Sequence, residues 1–477
     1  MILKRFYDDK LAQASYLVGC AATGEAAVVD ANRDVEQYLT AAAQEGLRIT
    51  AVTETHIHAD YLSGSRELAR RTGATLYLSD EGDADWKYGF AAEENAILVK
   101  DGDSFRIGNI RFDIWHTPGH TPEHITFLVT DEPASKEPVL AFTGDFIFVG
   151  DVGRPDLLEK AANVIGTMEP GARRLYHSLQ RFAKLPDHLQ LWPAHGSGSA
   201  CGKSLGGVPV ATLGYERIAN WGFGADSEDH FVEMVLSGQP EPPVYFALMK
   251  HINKVGPTIL NGMPNLARLG GAKIVSLLQE NALIVDIRPT PAYMEKHLPG
   301  TLHIPGGKLF TNWAGWLIPY HTPFYLLADT KEQVDEAVRD LAMIGLDDAQ
   351  GWLGPDALTA FTGSGKTLVA AAEITADDLA KLPENNKPMV LDVRGETEWN
   401  GGHLPGALHI PLGYLEKRRE ELPGTDTPIV VHCQGGGRSP IAVSVLERMG
   451  YHHVLNLSGG ISAYRQAGLP VVTDEIK

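Results

Sequence analysis

Cysteine is scarce in this chain: Cys20, Cys201 and Cys433 are the only three among 477 residues. Their odd number and wide spacing exclude a disulfide framework, so a reducing cytoplasm is the expected setting, with any special thiol kept for its reactivity. Long apolar runs are missing too, and no stretch approaches the roughly 18–20 residues of a membrane span. Leu17-Val18-Gly19-Cys20 has the look of a lipoprotein processing site. However, Asp8, Asp9, Lys10 and Gln13 interrupt the apolar segment that should precede it. Positive charge is in deficit. Lys plus Arg number 41 against 60 Asp plus Glu, a net −19, which argues against a nucleic-acid surface or an anionic-membrane partner. Small anions in a cleft remain compatible with that total. The 44% hydrophobic and 21% charged residues are globular values, and at roughly 150 residues per domain the length suggests about three domains.

The C-terminal half repeats itself. Ile284-Val-Asp-Ile-Arg288 with His297-Leu-Pro-Gly-Thr-Leu-His-Ile-Pro305 returns as Val390-Leu-Asp-Val-Arg394 with His403-Leu-Pro-Gly-Ala-Leu-His-Ile-Pro411. Ala337, Val338, Leu341 and Gly345 likewise match Ala442, Val443, Leu446 and Gly450. Each copy reads as strand, loop, short strand, strand, helix, an α/β pattern built on a parallel sheet. The first ~250 residues alternate short strands (Ser15–Val18, Ala26–Val29, Ile49–Thr53) with helices (Val35–Gln44, Ser65–Thr72). Gly238-Gln-Pro-Glu-Pro-Pro243 reads as a linker, and Gly354–Lys366, with three glycines, as the connection between the repeats.

Chemistry gathers at the ends of apolar strands. Thr55-His56-Ile57-His58-Ala59-Asp60 follows one such strand, and Thr117-Pro-Gly-His120, Thr143-Gly-Asp145 and Pro193-Ala-His195 follow in order. A lone histidine is usually a satisfied core or surface residue, which is the reading for His116 and His124. Four motifs in series are metal-ligand chemistry. This ordered set resembles the metallo-β-lactamase fold over about residues 1–245. Dinuclear members carry a further His after the first-motif Asp, where this chain has Tyr61; a phenol is a poor second-metal ligand, so a mononuclear site is expected. Gly150-Asp-Val-Gly-Arg154-Pro-Asp156 and His195-Gly-Ser-Gly-Ser-Ala-Cys201-Gly are similar to persulfide dioxygenases. The resemblance implies one Fe(II) per chain (zinc in some purified material) on His56, His120 and Asp145, with His58, Asp60, Tyr61 and His195 as supporting groups. A two-His-one-carboxylate set leaves positions open for a persulfide sulfur and O₂. Arg154 either meets the substrate's negative end or sits in a structural ion pair. Cys201 either relays sulfur or packs.

In the last repeat the strand Ile429–His432 runs into Cys433-Gln434-Gly435-Gly436-Gly437-Arg438-Ser439, with a helix opening at Pro440. Converging amides and a helix N-terminus around a sulfur favour a thiolate or an anion. Four residues separate Cys433 from Arg438, one fewer than tyrosine phosphatases use, and the loop resembles that of a rhodanese carrying sulfane sulfur. In the first repeat Ala328 and Gln333 stand at the Cys and Arg places, so that copy resembles a rhodanese homology domain without chemistry. Gly363-Ser-Gly-Lys-Thr367 lacks the first glycine of a P-loop, Ala360 standing there, and Gly196-Ser-Gly198 lacks a dinucleotide context.

The expectation is therefore an α/β multidomain chain. An αββα metallo-β-lactamase sandwich (1–250) precedes an inactive rhodanese homology domain (257–362) and an active rhodanese domain (367–477). By resemblance to persulfide dioxygenase–sulfurtransferase fusions, its partners are a low-molecular-weight thiol persulfide, O₂ and sulfite or thiosulfate, and it is expected to form a homo-oligomer. Two alternatives stand beside it. One is a glyoxalase II-type thioester hydrolase fused to a rhodanese; the other is a non-catalytic carrier delivering persulfide from Cys433 to a partner.

Overall fold

The computed structural model describes residues 1–162, 166–383 and 387–473; the final residues of the expected third domain, 474–477, lie outside the described residues. Contacts divide the chain into two compact units. One is Met1–Pro264 with Arg339–Leu346, the other Asn265–Val338 with Asp347–Lys477.

The first unit contains two six-stranded sheets. The first takes β1 (Ile2–Asp8), β2 (Gln13–Cys20), β3 (Glu25–Val29), β4 (Arg48–Thr53), β5 (Thr75–Ser79) and β6 (Ile97–Val99) in chain order. It is antiparallel through β3 and parallel from β3 to β6. The second runs over β7 (Ser104–Ile107), β8 (Ile110–His116), β9 (Ile125–Asp131) and β10 (Leu140–Gly144); β11 (Ile147–Phe148) and β12 (Asp151–Val152) form a separate hairpin. β13 (Gln190–Pro193) then joins β10 in parallel and β14 (Ala211–Thr212) closes that edge.

Strand alternation decides which core each side chain enters. In β3, Ala26 and Val28 enter one cluster with Tyr38, Leu68 and Trp86 of the helical side. Ala27 and Val29 enter another with Phe112, Phe127 and Phe142 of the second sheet. The second sheet's other face packs Leu128, Ala141 and Leu191 against Leu175, Leu179 and Phe182 of the helix Met168–Phe182. Helix, sheet, sheet, helix: the αββα sandwich expected from the sequence is present. Complete burial of one such phenylalanine is worth roughly 1.5–3 kcal/mol, so the two-sheet layer is a rigid floor under the loops at its strand ends.

The second unit holds two parallel five-stranded sheets of one topology. The first is ordered β15-β19-β18-β16-β17, from Arg268–Leu269, Ala349–Leu353, Phe324–Leu327, Leu283–Asp286 and Leu302–His303. The second is ordered β20-β24-β23-β21-β22, from Ala372–Ile374, Val454–Leu457, Ile429–His432, Met389–Asp392 and Leu408–His409. The repeated sequence thus folds twice alike. One expectation is corrected: the glycine-rich stretch at 354–366 is not simply a connection, because Asp356–Gly363 is a helix. Ala357 and Phe361, one turn apart, carry it into the first copy's core, and that burial outweighs its poor helix propensity. Among the described residues no helix is long and apolar enough to cross a membrane.

Candidate metal centre and sulfur-carrying loop

The donors of the first unit stand on loops that leave strand ends. His56 follows β4, His120 lies between β8 and β9, Asp145 follows β10 and His195 follows β13. His120 Nε2 is 3.4 Å and His56 Nε2 3.9 Å from Asp145 Oδ2. His195 Nε2 is 3.4 Å from Asp145 Oδ1 and 3.2 Å from Asp60 Oδ2. All five residues are buried. Both Asp145 oxygens, Asp60 Oδ2 and His195 Nε2 lack a hydrogen-bond partner, a costly arrangement for buried polar atoms unless a cation receives them.

The far sides of the imidazoles prepare them for that role. His120 Nδ1 donates to Arg154 O (3.1 Å) and His195 Nδ1 to Ala12 O (3.0 Å). Each bond fixes the tautomer whose Nε2 keeps its lone pair. His56 Nδ1 meets Thr55 Oγ1 at 3.0 Å, and that hydroxyl donates to Asp30, which sets His56 the same way. Burial and the surrounding histidines hold His56 well below its ordinary pKa, and burial also lowers His120. Both are therefore neutral, as a ligand must be.

Two donor sets emerge among the described residues. His56, His120 and Asp145 converge, and so do Asp60, His195 and Cys201. The two-nitrogen, one-carboxylate donor set of the first suits a divalent transition metal. The second departs from the sequence expectation, in which Tyr61 argues against a second metal. Tyr61 is in neither set; its hydroxyl donates to Asp30 O (3.1 Å). Cys201 makes the difference, because a residue 141 positions beyond Asp60 reaches it only through the fold. Burial, with Asp145 and Asp60 adding to it, drives the Cys201 thiol well above its ordinary pKa, so it holds its proton unless a metal displaces it.

His58 turns away from both sets. Its Nε2 is 3.1 Å from Asp30 Oδ1, and although burial opposes the charged form, Asp30 lifts its pKa to about 9. Asp30 is thus the hub of the supporting shell, also accepting from Thr55 N at 2.7 Å; sequence reasoning missed it. Glu123 was missed as well: buried, it accepts from Ile57 N at 2.8 Å and so fixes the loop of His56 and His58. Of the two roles open to Arg154, the geometry selects the structural one. It is fully buried, its Nε and Nη2 reach Asp156 at 2.9 and 2.8 Å, and Nη1 donates to Ala200 O at 2.8 Å.

The second unit holds Cys433, buried at the end of β23. Its Sγ accepts from Gly436 N at 3.1 Å and Arg438 N at 3.4 Å, and lies 3.6 Å from Ser439 Oγ. Burial alone would raise the thiol pKa, but Ser439 and the loop amides more than offset it and lower it. Gly436 adopts φ +96°, a conformation open to glycine that turns its N–H inward. Gly435 and Gly437 complete the curl, and Gln434 donates to Ser462 Oγ at 3.1 Å. Arg438 pairs bidentately with Glu398, both contacts 2.6 Å, a partner that no motif announced. In the first copy Ala328 occupies the strand end, and Gln333 Oε1 accepts from Asp329 N (2.9 Å) and Thr330 N (3.2 Å). Two loop amides thus bind a side-chain oxygen in the first copy, where two others, at different positions of the loop, bind sulfur in the second.

Residues 8–195 match the metallo-beta-lactamase superfamily and residues 375–467 the rhodanese-like domain family. The chain is similar to the mitochondrial persulfide dioxygenase ETHE1 of Bos taurus, 27% identical over 51% of this chain and 84% of that protein. It is also similar to a sulfurtransferase of Allochromatium vinosum, 36% identical over 22% of this chain and 96% of that protein. The crystal structure of a metallo-beta-lactamase from Staphylococcus aureus matches with TM-score 0.67 at 41% identity, over 74% of this chain and 99% of that one.

Proposed function

The chain belongs to the metallo-β-lactamase superfamily and carries a C-terminal rhodanese domain, and from that premise we propose that it is a persulfide dioxygenase coupled to a sulfurtransferase. The observation that carries the reading is the pairing of two sites in one chain: the His56, His120, Asp145 donor set, and a cysteine cradled by amides for sulfane sulfur. The overall reaction at the first site is R–S–SH + O₂ + H₂O → R–SH + SO₃²⁻ + 2H⁺. Bound there, one ferrous ion supplies open positions for the persulfide sulfur and for O₂.

This chain's own residues do the remainder. Thr55, Arg154 O and Ala12 O hold three imidazoles in the ligand tautomer, and burial of every donor keeps bulk water away. Asp60 and His195, 3.2 Å apart, form a proton-accepting pair beside Asp145, suited to the protons that the reaction releases. At the second site the Cys433 thiolate attacks a persulfide, takes its outer sulfur and releases R–S⁻. Sulfite then attacks that outer sulfur, leaving thiosulfate and the regenerated thiolate. The amides of Gly436 and Arg438 stabilise the anionic sulfur at each stage.

The set Asp60, His195 and Cys201 supports a second reading, a two-metal thioester hydrolase of the glyoxalase II type. Anaerobic purification with metal analysis, followed by oxygen uptake on a glutathione or coenzyme A persulfide, separates them. One iron per chain with stoichiometric O₂ consumption is expected. Two metals per chain, hydrolysis of lactoylglutathione and no O₂ uptake would overturn the dioxygenase.

A further inference from the structure

Arg438 closes the sulfur loop, yet its charge is already taken. Both terminal nitrogens lie 2.6 Å from the Glu398 carboxylate, while its backbone N–H reaches Cys433 Sγ at 3.4 Å. Burial opposes the charge of this guanidinium, and Glu398 together with the Cys433 sulfur more than restores it. The group therefore acts on the reacting sulfur as well as on the carboxylate. A second guanidinium that meets the loop, Arg394, is held too. It binds Asp392 through Nε and Nη2 and turns Nη1 to Gln434 Oε1 at 3.3 Å. Arg394 is 1% exposed, whereas the side chains of Arg438 and Glu398 are 21% and 36% exposed, so a solute can reach that pair.

The first copy serves as an internal control. Ala292 stands where the second copy has Glu398, and Gln333 where it has Arg438. Both halves of the pair are missing from the copy without the cysteine, although its strand order is the same, so the fold does not require the pair. Glu398 has one local duty, since its Oε2 also accepts from Gly395 N at 3.1 Å where the helix Glu396–Asn400 begins. An amide oxygen could accept that bond equally well. Neutralising Arg438 needs a carboxylate. Burial pushes the Glu398 carboxyl up, but Arg438 holds it below its ordinary value and so charged at neutral pH. Sulfur donors differ in what they ask of this pair. A thiol persulfide brings a single negative charge at its outer sulfur, which the loop amides can hold. Thiosulfate is a dianion, for which the guanidinium is the natural partner and Glu398 a competitor.

We propose that Glu398 is a specificity-determining residue of the sulfur loop: by occupying Arg438 it makes the loop take sulfur from a thiol persulfide in preference to thiosulfate, and give thiosulfate up once formed. The assignment rests on the reading of Cys433 as a carrier of sulfane sulfur. In the discharging step the sulfite lone pair attacks the outer sulfur on Cys433. The S–S bond of thiosulfate forms, the bond from that sulfur to Cys433 Sγ breaks, and its electron pair returns to Sγ as thiolate, with no external oxidant. Thiosulfate then leaves the amides while Glu398 retains the guanidinium. Steady-state sulfur transfer to cyanide by the full chain, with thiosulfate or glutathione persulfide as donor, tests this. In Glu398→Gln the thiosulfate KM should fall about tenfold while the persulfide KM stays within about twofold. Added thiosulfate should also inhibit transfer from the persulfide more strongly. Glu398→Ala, as a second variant, should move the same way, and Glu398→Asp, which restores the charge, should return the thiosulfate KM toward its original value. Glu398→Gln/Arg438→Gln should lose the gain. A pair that merely held the loop in shape would lower kcat with both donors and leave the ratio of their KM values alone. That result, or a thiosulfate KM that rises in Glu398→Gln, would overturn the proposal and leave the sulfurtransferase standing. No transfer from either donor by the unaltered chain would remove the sulfurtransferase reading, and this proposal with it.

Discussion

Replacing Asp156 by Asn probes the buried ion pair beneath the metal centre. Arg154 is wholly buried, and its two bonds to Asp156 are 2.9 and 2.8 Å long. The amide keeps the shape and one acceptor oxygen but removes the charge and turns an NH₂ toward the guanidinium, leaving a desolvated cation with that oxygen and Ala200 O as its acceptors. Breaking a buried pair in this way costs about 3–5 kcal/mol. Lys160, 2.9 Å from Asp156 and partly exposed, adds little when released. For a unit of this size the loss lowers the melting temperature by about 6–20 °C. The measurement is thermal unfolding of chelator-treated protein at pH 7, with metal affinity determined separately. Affinity should fall too, since the Arg154 carbonyl orients His120. Burial pushes the Asp156 carboxyl up, but Arg154 and Lys160 together hold it below its ordinary value. The pair's stabilisation is therefore complete above the unfolded carboxyl pKa and fades as pH falls through the lower folded value, so the gap between variant and parent should close below about pH 4. A matched apolar pair, Arg154→Met with Asp156→Leu, should cost far less than the single change. A shift below about 1 kcal/mol in Asp156→Asn, well short of that buried-pair range, would refute the reasoning.

Other perturbations separate the two chemistries and probe the supporting shell. Cys433→Ser should abolish sulfurtransferase activity entirely, because Ala328 stands at the equivalent place, while O₂ uptake persists and sulfite replaces thiosulfate. His56→Ala should do the opposite; loss of O₂ uptake in an iron-loaded Cys433→Ser variant would show an obligate relay instead. Glu123, raised to about 7 by burial, binds a proton more readily folded than unfolded. Its stabilisation is full below the unfolded carboxyl pKa and lost as pH rises to 7, about 3 kcal/mol in all. Asp340, raised to about 6 by burial, keeps a slope of the same sign, so Glu123→Gln should reduce but not remove the fall in stability of metal-free protein between pH 4.5 and 7. Gly153→Ala should lower metal affinity at least tenfold, since an added Cβ would collide with the Asp145 carbonyl.

What was legible in the sequence was whatever chemistry wrote into contiguous residues. Strand-end motifs located His56, His120 and Asp145 because such loops need their donors at strand termini. The duplicated Asp-Val-Arg and His-Leu-Pro-Gly segments announced two folds of one kind. What stayed hidden depends on distance along the chain. Asp30 carries no motif, yet it supports His58 and Thr55 from the end of β3, at φ +56°. Cys201 joins Asp60 and His195 only after the sandwich closes, and Glu398 meets Arg438 across 40 residues. At 354–366, glycine content suggested a connection and missed the helix, because two buried side chains outweigh local propensity.

The twin sheets of the second unit describe a history as well as a shape. Both copies keep the same strand order, while one loop binds sulfur and the other is closed by Gln333. The sheet and the loop are therefore encoded in different letters of the same repeat: the loop differs between the copies while the strand order stays the same. The converse is open to the bench. Residues 328–333 form a compact cassette on a scaffold already suited to carry one, so transplanting the six residues Cys433–Arg438 there offers a route to a chain with two sulfur-bearing arms.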